Sequence, residues 1–162
     1  PELNFLCTFD QGMYSWNHLA GAAMERYGAD RLTIPVELNE REIRDSGVQG
    51  EMIVYGYLPM MISAQCIRKT TLGCSGKPEI MWLKDRKDMR FPVVNQCRFC
   101  YNTIYNSAPL SLLGLSEQVT GLKPNAVRLN FTVEEPAAAG EILDAFFEEY
   151  GMSEKSGGAA SF

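Results

Sequence analysis

Strand and helix signals alternate through the first 62 residues, and this alternation limits the folds open to the chain. Strand patterns cover residues 3–9, 31–36 and 51–62. The first helix pattern begins after Asn17 and ends near Gly28, as capping preferences favour. The second begins with Asn39 and Glu42, whose spacing resembles a capping box. Strands and helices alternating in this way predict parallel βαβ units with right-handed crossovers.

After residue 66 the pattern becomes irregular. Short strand patterns at residues 80–83, 90–94 and 102–105 are separated by Gly, Pro, Asp and Asn. We predict an irregular, cysteine-bearing insert at about residues 66–107. Beyond it, the sequence predicts a helix within residues 109–119, a strand at 126–133 and a helix at 137–150.

Three or four βα units amount to about half of a (β/α)₈ barrel, which usually needs around 250 residues. We therefore predict an α/β fold, a partial (β/α)₈-type barrel that represents its C-terminal half. Residues 1–152 are predicted to form one domain, and residues 153–162 a flexible tail or linker because they are small and polar. The N-terminal half of the barrel is expected to precede Pro1. A half-barrel would expose strand edges, so a homodimer of this chain is an alternative expectation.

The balance of charges and apolar residues argues against two kinds of partner. Fifteen basic and twenty acidic residues give a net charge of −5, so general attraction to nucleic acid or to anionic membranes is not expected. No apolar stretch reaches the roughly 18 residues of a membrane span. The sequence therefore predicts a soluble protein.

Cysteine is the residue type whose placement is most informative. There are five cysteines, an odd number, and no signal sequence is visible; we expect a reduced, cytoplasmic protein. Cys7 stands apart from the others. The remaining four lie within 35 residues of one another, and they are Cys66, Cys74, Cys97 and Cys100.

Four cysteines at this spacing have three interpretations. Cys97 and Cys100 form a Cys-x-x-Cys pair, which directs two thiolates to one point, and a second pair completes a four-sulfur site for zinc or an iron–sulfur cluster. The seven residues between Cys66 and Cys74 are wider than the usual zinc knuckle. Buried apolar thiols and a redox pair are the alternatives.

Carboxylates that follow predicted strands are the candidate catalytic groups, because βα barrels carry their active sites at the carboxyl ends of strands. Asp10 follows the first strand and Glu37 the second; Glu37 could act as a base. Turn and capping chemistry explains both residues as well. His18 is the sole histidine, which excludes a multi-histidine metal site, and it is more readily explained as a surface residue.

Several segments of the chain form a recognisable set of motifs. The main one is YGYLPMMISAQC at residues 55–66, where a strand ending in Tyr-Gly leads to a cysteine about ten residues later. Supporting segments are VELN at 36–39, LKDR at 83–86 leading into FPV at 91–93, and CRFCYNTIYNS at 97–107. Together these segments resemble the collagenase-like peptidase family U-32, and the resemblance covers about residues 5–130.

The resemblance implies a (β/α)₈-type barrel with cysteines near its mouth and a peptidase of unknown catalytic type that acts on a peptide or protein. Relatives in ubiquinone and RNA hydroxylation carry a four-cysteine [4Fe–4S] cluster. By that likeness, the cluster ligands would be Cys66, Cys74, Cys97 and Cys100. The alternatives are thus a U-32-type peptidase fragment, an iron–sulfur-dependent hydroxylase of RNA or a small aromatic, and a zinc-stabilised structural or interaction domain.

Overall fold

A computed structural model describes residues 5–151, and contacts divide this part of the chain into two compact units. The first unit comprises residues 5–54, 112–129 and 140–151, and the second comprises residues 55–111 and 130–139. The insert predicted at about residues 66–107 lies inside the second unit. The fold is mixed α/β, and the described residues form several sheets without a closed barrel.

The described chain contains nine strands and five α-helices. The strands are β1 (Thr8–Phe9), β2 (Arg31–Leu32), β3 (Glu51–Gly56), β4 (Pro59–Ser63), β5 (Glu79–Lys84), β6 (Arg90–Gln96), β7 (Tyr101–Tyr105), β8 (Leu110–Ser111) and β9 (Ala126–Asn130). The helices are α1 (His18–Arg26), α2 (Glu40–Ser46), α3 (Ile67–Leu72), α4 (Ser116–Gly121) and α5 (Pro136–Glu149).

The first three strands run in parallel. β1 pairs with β2 in parallel register, and a parallel bridge joins Thr33 to Glu51 at the start of β3. The two helices between these strands begin as predicted: the Asn17 side chain caps α1, and Asn39 and Glu42 form the capping box of α2. The predicted parallel βαβ order is therefore confirmed for this segment.

β9 lies beside β3 and runs in the same direction. Near their starts, the Asn125 N–H donates to the Gly50 carbonyl over 2.8 Å. At their ends, a Cβ on Gly56 would lie 2.6 Å from the Asn130 carbonyl oxygen. The starts of the two strands lie together and their ends lie together, so β3 and β9 are parallel. Their carboxyl ends are therefore neighbours.

The main core of the first unit is formed by side chains from β3, α4, α5 and the segment after β2. Its buried members are Ile34, Met52, Val54, Val119 and Phe146. Sequence periodicity predicts a wider apolar face on α5, but Leu143 and Phe147 are exposed. Phe146 is the one buried residue of α5.

The second unit is built on a four-stranded antiparallel sheet in the order β4-β7-β6-β5. Its central strands bury Val93, Asn95 and Asn102 almost completely. The three strand patterns predicted for the insert are confirmed as β5, β6 and β7. The hairpin between β5 and β6 is closed by Asp85, whose carboxylate accepts from Lys87 N–H over 2.7 Å and Met89 N–H over 2.9 Å.

Several predicted boundaries were wrong. The strand predicted at residues 51–62 is two strands, because Gly56 has a positive φ of 153° and the chain leaves β3 there to begin β4. Pairing of the strand predicted at 31–36 ends at Thr33, before Pro35, which has no N–H to donate. The helix predicted within 109–119 is a short strand followed by α4. The tail at 153–162 and the start of the strand predicted at 3–9 lie outside the described residues.

Candidate metal centre

Three turns of the second unit place the four clustered cysteines. Cys66 ends the β4–α3 connection and caps α3, its Sγ accepting from the Lys69 N–H over 3.4 Å. Cys74 follows the end of α3, where Gly73 turns the chain with a φ of 85°. Cys97 opens a 3₁₀ turn after β6, and Cys100 closes it in the left-handed conformation. The Cys-x-x-Cys pair therefore lies on one tight turn, as its spacing predicts.

The four thiols lie close enough to influence one another. Partial burial raises the pKa of the Cys97 thiol, and Cys74 raises it further through its charge and a hydrogen bond. Cys100 and Cys66 also contribute to this rise. A cluster of thiols without a cation resists ionisation, because each thiolate repels the next. The other three thiols therefore lie near enough to Cys97 to affect its pKa.

The present arrangement is a gathered set of free thiols and not a finished coordination sphere. Within residues 5–151, no three His, Cys, Asp or Glu side chains are arranged to hold one metal ion. None of the four cysteines is buried: Cys66 and Cys97 are half-buried, while Cys74 and Cys100 are exposed. The alternative of buried packing thiols does not describe them. Cys7 is exposed and lies in the first unit.

Two buried asparagines hold the corner on which Cys66 lies. The Asn102 Nδ2 donates to the Gln65 carbonyl over 2.7 Å, and the Cys66 thiol donates to the Asn95 Oδ1 over 3.7 Å. Asn95 and Asn102 are paired across β6 and β7. Sequence analysis missed these positioning residues, although asparagine inside a predicted strand is a signal that could have drawn attention to them.

The Asp10 carboxylate, predicted to be a catalytic group, instead forms an ion pair with Arg128. Asp10 caps the turn after β1 and accepts from the Arg128 Nη2 over 2.6 Å. Burial alone would raise the pKa of Asp10, but hydrogen bonds from Arg128 and the Gln11 N–H outweigh it and lower that pKa. Arg128 also lies 3.2 Å from Glu51. Asp10 is thus an ionised partner of an arginine, which makes it a poor proton acceptor.

The other two sequence candidates are solvent-exposed. Glu37 lies in the turn between β2 and α2, and among the described residues its carboxylate has no hydrogen bond or ion pair. The structure does not bring it into contact with Asp10. His18 is exposed at the first position of α1, in agreement with a surface role.

Comparison with known proteins returned no matching family model, no matching curated protein and no matching solved structure. In the described part of the chain, no helix is both long and apolar enough to cross a membrane.

Proposed function

We propose that the second unit carries a metal centre held by Cys66, Cys74, Cys97 and Cys100, within a protein of the U-32 type. The observation that supports this most directly is the effect of all three other thiols on Cys97. Thiols gathered without a cation stay protonated, and a bound metal ion would remove their protons and replace their mutual repulsion by attraction.

An iron–sulfur cluster fits this donor set better than zinc. Four thiolates are the usual ligands of such clusters, and the seven-residue spacing of Cys66 and Cys74 is wider than that of zinc knuckles. When bound, the cluster supplies one-electron transfer. The Lys69 N–H already points to the Cys66 sulfur, and hydrogen bonds to ligand sulfurs tune the reduction potential of a cluster.

We favour an oxidation over peptide hydrolysis. The first candidate is an iron–sulfur-dependent hydroxylase of RNA or a small aromatic, and the second is a peptidase. The residues offered for peptidase chemistry support it poorly, since Arg128 engages Asp10 and Glu37 lies exposed in a turn. A net charge of −5 makes a small aromatic the simpler substrate. Peptide cleavage stays a prediction of the family resemblance.

The partial barrel is part of the same proposal. The parallel pairing of β1 with β2, continued to β3 by the Thr33 bridge, supports this part of the proposal, because neighbouring barrel strands are parallel. An N-terminal half or a second copy of the chain would complete such a barrel. A reduced, cytoplasmic environment would keep all five thiols free.

Metal and acid-labile sulfide analysis of anaerobically purified protein tests the metal centre. We expect about four iron and four sulfide per chain, lost in Cys97→Ser and retained in Cys7→Ser, whose thiol lies in the first unit. One zinc per chain would support the structural or interaction domain instead. The absence of both iron and zinc from protein purified under these conditions would overturn the proposal.

A further inference from the structure

A second group of polar and aromatic side chains lies where β3 and β9 end. Tyr55 is the last side chain of β3, since Gly56 follows it, and Phe131 follows β9. Their ring centroids are 5.7 Å apart. Ligand sites of α/β proteins are built at the carboxyl ends of neighbouring parallel strands. The carboxyl ends of β3 and β9 are therefore a candidate binding site that does not involve the cysteines.

Glu134 supplies the charge at this position. Its Oε2 accepts from the Thr132 N–H over 2.6 Å and from the Val133 N–H over 2.9 Å. Its Oε1 is buried and has no hydrogen-bond partner. Among the ion pairs formed by residues 5–151, none involves Glu134. The carboxylate is thus held by the backbone with one oxygen unsatisfied and its charge uncompensated.

Two tyrosines, Tyr55 and Tyr105, lie near this carboxylate. Tyr55 is 6% exposed, and burial, followed by the charges of Glu134 and Tyr57 and a hydrogen bond with Glu134, raises its pKa to about 12. Burial also raises the pKa of Tyr105, to which Tyr101 and Glu134 contribute. These phenols therefore stay neutral at physiological pH and do not balance the charge of Glu134. Tyr57 and Tyr105 are half-buried and Phe131 is 37% exposed, so part of this group is open to solvent.

A half-buried carboxylate without a cation is costly to a protein. Aromatic faces attract cations through the negative potential of the ring. A ligand that satisfies both features carries a positive charge and an N–H donor. We infer that Glu134, Tyr55, Tyr105 and Phe131 bind an alkylammonium group, either of a free amine or of a lysine side chain.

Titration of the isotope-labelled protein with n-butylammonium chloride, followed by NMR, tests this site. We expect saturable shifts of the Tyr55, Phe131 and Glu134 resonances, and no saturable shift with the neutral isostere n-butanol. Parallel titrations with n-butylammonium and with N-acetyl-lysine methylamide distinguish a free amine from a lysine side chain. Tighter binding of one of the two identifies the source.

Glu134→Gln removes the charge and keeps the shape, so we expect butylammonium affinity to fall about tenfold or more. Glu135→Gln is the matched control, because Glu135 is adjacent and exposed, and it should bind as the unaltered protein does. If Glu134→Gln does not fold, Phe131→Leu provides the second test and should weaken binding. No saturable shift in the unaltered protein, or equal affinity in folded Glu134→Gln, would overturn the inference.

Discussion

Asn95 and Asn102 face each other across β6 and β7, and both side chains bond to the corner that carries Cys66. Both are almost completely buried. Buried amides are costly unless they are paired, so their bonds fix this corner relative to the sheet. The position of Cys66 therefore depends on two residues that lie outside the cysteine motif.

Asn102→Ala should lower the free energy of unfolding by about 1–3 kcal/mol, because it leaves the Gln65 carbonyl without its buried donor. Asn106→Ala is the control. Among residues 5–151, the Asn106 side chain bonds only to the adjacent Ser107 N–H, and its removal should cost less. Urea unfolding measures both. Equal losses in the two variants would contradict the positioning role of Asn102.

Gly56→Ala should be strongly destabilising. The new Cβ would lie 2.6 Å from the Asn130 carbonyl oxygen, at a φ of 153°, and strain of this kind costs on the order of 1–3 kcal/mol. Gly140→Ala in α5 is the opposite case, since its Cβ would meet nothing within 4 Å and alanine favours a helix by about 1 kcal/mol. Opposite shifts of the urea midpoint are expected. Similar shifts would show that β3 and β9 do not approach as described.

Glu149 makes stability depend on pH in the first unit. Its carboxylate accepts from the Gly114 and Ser116 N–H groups, and the Gly114 bond is the main cause of its lowered pKa. Since the folded pKa lies below the ordinary value of 4.5, the stabilisation is complete above that value and is lost as pH falls through the folded pKa.

Glu149→Gln should therefore lower the melting temperature at pH 7 and have a smaller effect at pH 3. Glu148→Gln is the control, because Glu148 is exposed on the same turn of α5, and it should change little at either pH. A Glu149→Gln defect that persists undiminished at pH 3 would show that the charge of Glu149 is not what stabilises this loop.

Arg128→Gln should lower the free energy of unfolding of the first unit at pH 7 by roughly 1 kcal/mol. The effect is this small because solvent screens partly exposed ion pairs. The substitution leaves the carboxylates of Asp10 and Glu51 without their shared cation. Because the pKa of Asp10 is lowered in the folded protein, the difference should shrink as Asp10 is protonated at acid pH. Thermal unfolding across pH checks this. Asp10→Asn, which keeps a hydrogen-bond acceptor, should have the smaller effect.

Features set by neighbouring residues were predictable from the sequence. The Asn39–Glu42 capping box and the Cys97–Cys100 turn depend on groups three residues apart, which the sequence shows directly. A single metal site formed by the four cysteines stays a prediction, because no three of them are arranged to hold one ion within residues 5–151. These signals predicted the α/β class and the candidate ligands.

Features that depend on distant residues were not predictable. Arg128 meets Asp10 across 118 positions of sequence, and this contact changes the chemistry expected of Asp10. Glu134 lies among tyrosines because β3 and β9 end together, which no local pattern indicates. The division of the strand predicted at 51–62 likewise depends on the close approach of Gly56 to Asn130.

Thiol titration of anaerobically purified, metal-loaded protein tests the central claim most directly. If Cys66, Cys74, Cys97 and Cys100 hold one metal centre, a thiol reagent should modify only Cys7 in the folded protein. All five cysteines should react after chelation and unfolding, and mass spectrometry identifies the modified positions. Rapid modification of Cys74 and Cys100 in loaded, folded protein, alongside Cys7, would contradict the account.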